Sequence, residues 1–168
     1  MPESGVRCVL NGRQLDRTVT HHRLLRDFLR EECGLTGTKG ACEDGMCGSC
    51  TVLLDGMAVK SCLLLAVEAE GHEITSIEGL ALDDDLHPVQ QAFVDNFGFQ
   101  CGYCTPGFVM TVVALIRDQP ELEEERGVRE ALVGNICRCT GYTRIVASYI
   151  DAARRMRGPE GTDRTHGS

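Results

Sequence analysis

The chain has 168 residues, of which 42% are hydrophobic and none is Trp, and its formal net charge is −8. That length suits one ordinary domain or two small ones, and small domains often lean on metals or disulfides because their cores are thin. The acidic balance excludes nucleic acid as the main partner, since phosphate binding needs clustered Lys and Arg.

Ten cysteines are the outstanding feature of the composition. The start, Met1-Pro2-Glu3-Ser4, is polar and acidic, with no apolar stretch behind it, so no signal peptide is expected. The longest apolar run, residues 62–67, is too short to span a membrane. The expected location is the cytoplasm, where disulfides are disfavoured. Cysteines used this heavily in a reducing compartment read as metal ligands or redox groups.

Residues 6–20 read as a hairpin around the turn Asn11-Gly12, and residues 21–32 as a helix with Leu24, Leu25, Phe28 and Leu29 on one face. An irregular, glycine-rich stretch follows over 33–50. A second hairpin turns at Asp55-Gly56 within residues 51–61, and residues 72–77 read as one more strand. From there the pattern is helical. A helix is expected over 86–96 with Asp83 or Asp84 as cap, and another over 105–118, where Thr105-Pro106 reads as cap and first turn. Two more are expected over 122–133 and 142–156. The acidic run 121–125 reads as a solvated helix start favoured by the helix dipole. The polar tail 158–168 is expected to be disordered. The chain is therefore read as α+β, with a β-rich unit at 1–80 and an all-helical unit at 81–157.

Cys42, Cys47 and Cys50, with Cys62 further on, form C-x4-C-x2-C followed by a distal Cys. This is the plant-type ferredoxin spacing for a [2Fe–2S] cluster. Three ligands come from one loop and the fourth from the far end of the second hairpin. Gly45 and Gly48 remove side chains, so that backbone N–H groups can approach the cluster sulfurs. A zinc site fits the x4 gap poorly, and a redox Cys47/Cys50 pair would leave Cys42 and Cys62 unexplained. The second group is Cys101, Cys104, Cys137 and Cys139, in C-x2-C and C-x-C pairs placed near helix starts. Spacing alone leaves both zinc and iron–sulfur open there. Cys8 and Cys33 read as packing residues, with Cys33 close to the first loop. His21, His22, His72 and His87 show no metal spacing and read as surface or cap residues.

Three segments carry a resemblance. They are Gly40-Ala41-Cys42-Glu43-Asp44-Gly45-Met46-Cys47-Gly48-Ser49-Cys50-Thr51-Val52, then Phe99-Gln100-Cys101-Gly102-Tyr103-Cys104-Thr105-Pro106-Gly107, then Gly134-Asn135-Ile136-Cys137-Arg138-Cys139-Thr140-Gly141-Tyr142. Together they resemble the iron–sulfur subunit of the xanthine oxidase family of molybdenum hydroxylases. The resemblance implies a β-grasp ferredoxin domain followed by a four-helix domain, each with one [2Fe–2S] cluster. It implies that the Cys101/Cys104/Cys137/Cys139 site lies nearer a molybdopterin, with Gln100 and Cys139 beside the pterin. The Cys42/Cys47/Cys50/Cys62 site would lie nearer a flavin.

The chain shows no G-x-G-x-x-G and no P-loop, so no nucleotide cofactor site of its own is expected. The resemblance therefore implies a heterotrimer, or a dimer of heterotrimers, with a large molybdenum-binding and a medium FAD-binding subunit. No residue reads as a general acid, base or nucleophile. The alternatives are a free-standing two-cluster carrier, or a chain whose second site holds structural zinc.

Overall fold

The computed structural model describes residues 1–81 and 85–158. Strands β1 (Glu3–Leu10) and β2 (Arg13–Thr20) form the first hairpin, and β3 (Thr51–Leu54) and β4 (Met57–Lys60) the second. Both turns sit where the sequence places them. Asn11 and Gly12, and likewise Asp55 and Gly56, all have positive φ, the backbone that a tight two-residue hairpin requires. With β5 (Glu73–Thr75) they make one sheet in the order β2-β1-β5-β3-β4. The β1–β5 pair is parallel and the other three are antiparallel.

The expected helix over 21–32 is shorter and begins later. It comprises α1 (Leu25–Asp27) and a wide π turn over Phe28–Glu32. The preceding residues pair elsewhere: Leu25 N donates to Leu64 O, Ala66 N donates to Arg23 O, and Leu24 bridges Leu65. Leu25, Phe28 and Leu29 are buried against Val6, Cys8, Val52 and Ile74, while Leu24 is half-buried.

Four helices complete the described chain: α2 (Pro88–Asp95), α3 (Thr105–Asp118), α4 (Glu125–Ala131) and α5 (Thr143–Arg157). His87 caps α2, since its Nδ1 accepts from Val89 N at 3.2 Å and its own amide donates to Gln90 Oε1 at 3.0 Å. Asp83 and Asp84, expected as caps, lie outside the described residues, as does 159–168. Thr105 is the first helical residue of α3 rather than its cap, and Cys104 holds the cap position. The third helix starts three residues later than expected because the Glu124 carboxylate is its cap, accepting from Arg126 N and Gly127 N. Within the acidic run, Glu123 pairs with Arg154 and Arg157 of α5.

The helical core gathers Phe93, Phe108, Val112, Leu132, Ile145 and Tyr149. A smaller cluster of Leu53 from the sheet with Met110 and Ala114 from α3 joins the two halves. Burying Leu53 and Met110 there is worth about 1.5–3 kcal/mol each, and the contact packs the sheet and the helices as neighbours.

Candidate metal centres

The first cysteine loop lies between the π turn and β3. Cys42 and Cys47 are half-buried, and Cys50 and Cys62 are buried. Cys62 sits in a short 3-10 turn, Ser61–Leu63, directly after β4. Ser61 holds that turn against the loop, its amide and hydroxyl both donating to Cys50 O.

The loop turns its amides toward sulfur. Cys47 N donates to Cys42 Sγ at 3.3 Å. Burial pushes the Cys62 thiol up to about 11, helped by Cys50 and offset in part by the Gly45 amide. Burial also acts to raise Cys47, but donors from Ser49 and contact with Cys42 outweigh it and leave that thiol below its ordinary value. Gly45 has a positive φ and lies against Leu63, where an added Cβ would collide with that side chain. Gly48 also has a positive φ, but it faces the helical half, against Gly134 and Asn135.

The second group lies among the helix starts. Cys101 and Cys139 are exposed with their sulfurs 3.6 Å apart, Cys104 is half-buried and Cys137 buried. Burial pushes Cys104 up to about 12, with Cys137 adding to it. Cys137 is buried too, yet the Thr140 hydroxyl at 3.2 Å and nearby amides hold it below its ordinary value. Gln100 is exposed at the same rim, next to Cys101.

Among the described residues no three His, Cys, Asp or Glu side chains gather around one point. The sulfurs of Cys101 and Cys139 are in contact, and the thiols of Cys42 and Cys47, Cys50 and Cys62, and Cys104 and Cys137 act on each other's titration as further pairs. Two thiolates on one tetrahedral ion, with metal–sulfur bonds of about 2.3 Å, stand roughly 3.8 Å apart. The 3.6 Å between the Cys101 and Cys139 sulfurs is close to that. Two pairs per site, with amides donating to sulfur, is the donor set a two-iron cluster takes. The residues present therefore fit the group.

Several supporting residues lie inside the cysteine motifs but were not singled out by sequence reasoning. The Tyr142 hydroxyl accepts from Cys137 N at 3.1 Å, Thr140 bonds Cys137, and Asn135 and Tyr103 reach the first loop. Their sequence signal is a polar residue close to a motif cysteine, within the segments that carry the resemblance. Cys8 and Cys33 pack in and against the sheet core, and burial raises both thiols, Cys33 to about 11.

Two family models match the chain. One, described as a 2Fe-2S iron-sulfur cluster binding domain, matches residues 9–81. The other, described as a [2Fe-2S] binding domain, matches residues 76–149. The caffeine dehydrogenase gamma subunit of Pseudomonas sp. (strain CBB1) is 49% identical over 139 residues, covering 82% of this chain and 83% of that subunit. The xanthine dehydrogenase iron-sulfur-binding subunit of Escherichia coli O157:H7 is 42% identical over 152 residues, covering 89% and 94%. Among solved structures, quinoline 2-oxidoreductase from Pseudomonas putida 86 superposes with a TM-score of 0.87 at 40% identity, over 93% of this chain and 98% of the matched chain. With two [2Fe–2S] domains in sequence and this degree of likeness, the chain belongs to the iron–sulfur subunits of the molybdenum hydroxylase family, as a non-catalytic electron-transfer subunit of an oxidoreductase.

Proposed function

We propose that the chain relays electrons from a molybdopterin site on a large partner subunit to FAD on a medium partner subunit. The observation that carries this reading is the presence of two separate sets of paired thiols on one chain, one of them with an exposed pair. The first set is Cys42, Cys47, Cys50 and Cys62; the second is Cys101, Cys104, Cys137 and Cys139. Bound there, a [2Fe–2S] cluster supplies one-electron redox chemistry.

The protein's part is to hold and to tune. Thiolates anchor the iron, and the amides of Gly45 and Cys47, aimed at sulfur, favour the more negative reduced form. The Thr140 hydroxyl does the same at Cys137. Around the exposed Cys101/Cys139 pair, Gln100 offers an amide at the rim. That rim suits contact with a pterin through Gln100 and Cys139. Met46 and Leu63 stand exposed at the first site, the side assigned to the flavin subunit. The assembly proposed is a heterotrimer or a dimer of heterotrimers in the cytoplasm, and among the described residues no helix is long and apolar enough to cross a membrane. The division of labour falls at about residue 80, the first unit being residues 1–80 and the second 81–157.

The test is the EPR spectrum of the anaerobically purified, dithionite-reduced protein with its spins integrated. Two distinct signals totalling about two spins per chain are expected. A single signal near one spin would remove the second cluster and with it the relay.

A further inference from the structure

The two cysteine loops touch through bare backbone. An added Cβ at Gly107, in the first turn of α3, would overlap the Gly48 carbonyl, and one at Gly48 would overlap the Asn135 side chain and the Gly134 carbonyl. Into this contact Ile136 N donates to Cys47 O at 2.9 Å. Cys47 belongs to the first ligand set, and Ile136 is bonded to Cys137 of the second. One hydrogen bond and one peptide unit therefore join the two sets.

Asn135 stands beside that bond and is only 3% exposed. Its Nδ2 donates to Gly48 O at 3.1 Å, the carbonyl immediately after that of Cys47. Its Oδ1 lies 2.9 Å from the Thr111 hydroxyl, whose single proton is shared with Gly107 O, also at 2.9 Å. Its own amide donates to Leu132 O at 3.0 Å. Lys60 Nζ donates to Gly134 O at 2.9 Å, which fixes the residue before it. Asn135 and Ile136 thus grip Gly48 and Cys47 as two adjacent rungs, with α3 as the anchor. A buried amide satisfied on both ends defines its position sharply, because leaving either end unpaired costs about 1–3 kcal/mol.

We propose that Asn135 is a positioning residue for electron passage between the two sites: it holds the Cys47 carbonyl against the Ile136 amide. This rests on the ligand sets assigned above. The step is a one-electron transfer in which the giving site is oxidised by one electron and the receiving site is reduced by one. No atom changes place.

The experiment uses the intact complex and two variants, Asn135→Ser and Thr111→Val. The first removes the rung to Gly48, and the second removes only the anchor on α3. Three quantities are read: total spin of the reduced clusters, hydrogen exchange at the Ile136 amide, and the rate at which the two EPR signals come into balance after rapid mixing with substrate. Both variants should keep the two signals of the wild type, exchange Ile136 faster, and balance severalfold more slowly, Asn135→Ser more than Thr111→Val. Wild-type exchange at Ile136 would overturn the proposal, and so would faster exchange with an unchanged balancing rate. Loss of a signal in both variants would also overturn it, by making Asn135 an assembly residue. A wild-type complex with one signal only would instead sink the ligand assignment, so the two failures are distinguishable.

Discussion

The Tyr103 hydroxyl, inside the Cys101–Cys104 motif, donates to the carbonyl of Gly40 at 2.5 Å, two residues before Cys42. It adds a further hydrogen bond between the two cysteine motifs to those of Ile136 with Cys47 and Asn135 with Gly48. The Arg26 guanidinium also lies against Gly40, so close that an added Cβ would collide with it. Arg26 is buried and paired with Asp27 and Glu43. The loop leading into Cys42 is thus contacted by Tyr103 and Arg26, and Arg30 donates to the carbonyls of Thr36 and Thr38 just before it.

Tyr103→Phe should loosen that loop without unfolding the chain. A typical hydrogen bond contributes about 0.5–1.5 kcal/mol net, and Tyr103 is 47% exposed, so water replaces part of it and the loss falls at the low end. Hydrogen exchange over residues 37–41 is the check. Faster exchange there with both clusters present is the expected result, and unchanged exchange would show that the bonds from Gly37 N to Glu78, from Lys39 N to Ser49 O and from Arg30 to Thr36 O and Thr38 O hold the loop without Tyr103.

Cys47→Ser should remove the first cluster and spare the second. The paired sulfurs of the two sets do not overlap, and Cys137 keeps its own supports in Thr140 and Tyr142. Spin integration should fall to about one per chain, with the surviving signal unchanged in shape. If a soluble, folded variant lost both signals, the sites would not be independent.

How much of this was legible before the structure depends on how local the cause is. The turns at Asn11-Gly12 and Asp55-Gly56 were legible because they need only their own backbone. The eight cysteines of the two proposed ligand sets stand out in the sequence because spacing and motif name them. The start of α1 was not legible, since Leu24 and Leu25 are claimed by Leu65 and Leu64, forty residues away in sequence. The start of α4 was misplaced because several glutamates in a row compete to cap it, and only the fold selects Glu124. Asn135 sat in plain view beside Cys137, but its partner Gly48 is 87 positions away. Pattern reading finds turns and regularly spaced cysteines; it does not find residues whose meaning lies in a distant neighbour.

Cys104→Ser should act on the other site. Cys104 shares its pair with Cys137 at the start of α3, while the first loop has no ligand in that helix. The first-site signal should persist, and substrate-to-flavin electron transfer in the complex should slow sharply. Stopped-flow reduction of the flavin by substrate reads this directly. Transfer at the wild-type rate would break the proposed order of the relay.

His87 gives a pH-dependent prediction away from the clusters. Its ring nitrogen must be unprotonated to accept from Val89 N and cap α2, and burial lowers its pKa below the ordinary value. The fold therefore binds the proton less well than the unfolded chain does, whose histidine titrates near about 6.5. The cap's contribution is fully present above that value and is lost as pH falls through the lowered folded value. Asn caps without titrating in this range, so His87→Asn should match the wild type at pH near about 7.5 and exceed it in stability below about 6. A side-chain cap is worth about 1 kcal/mol, which bounds the gap. Denaturant midpoints of the two proteins across that range are the measurement, and parallel pH curves would mean the ring is not the cap that holds α2.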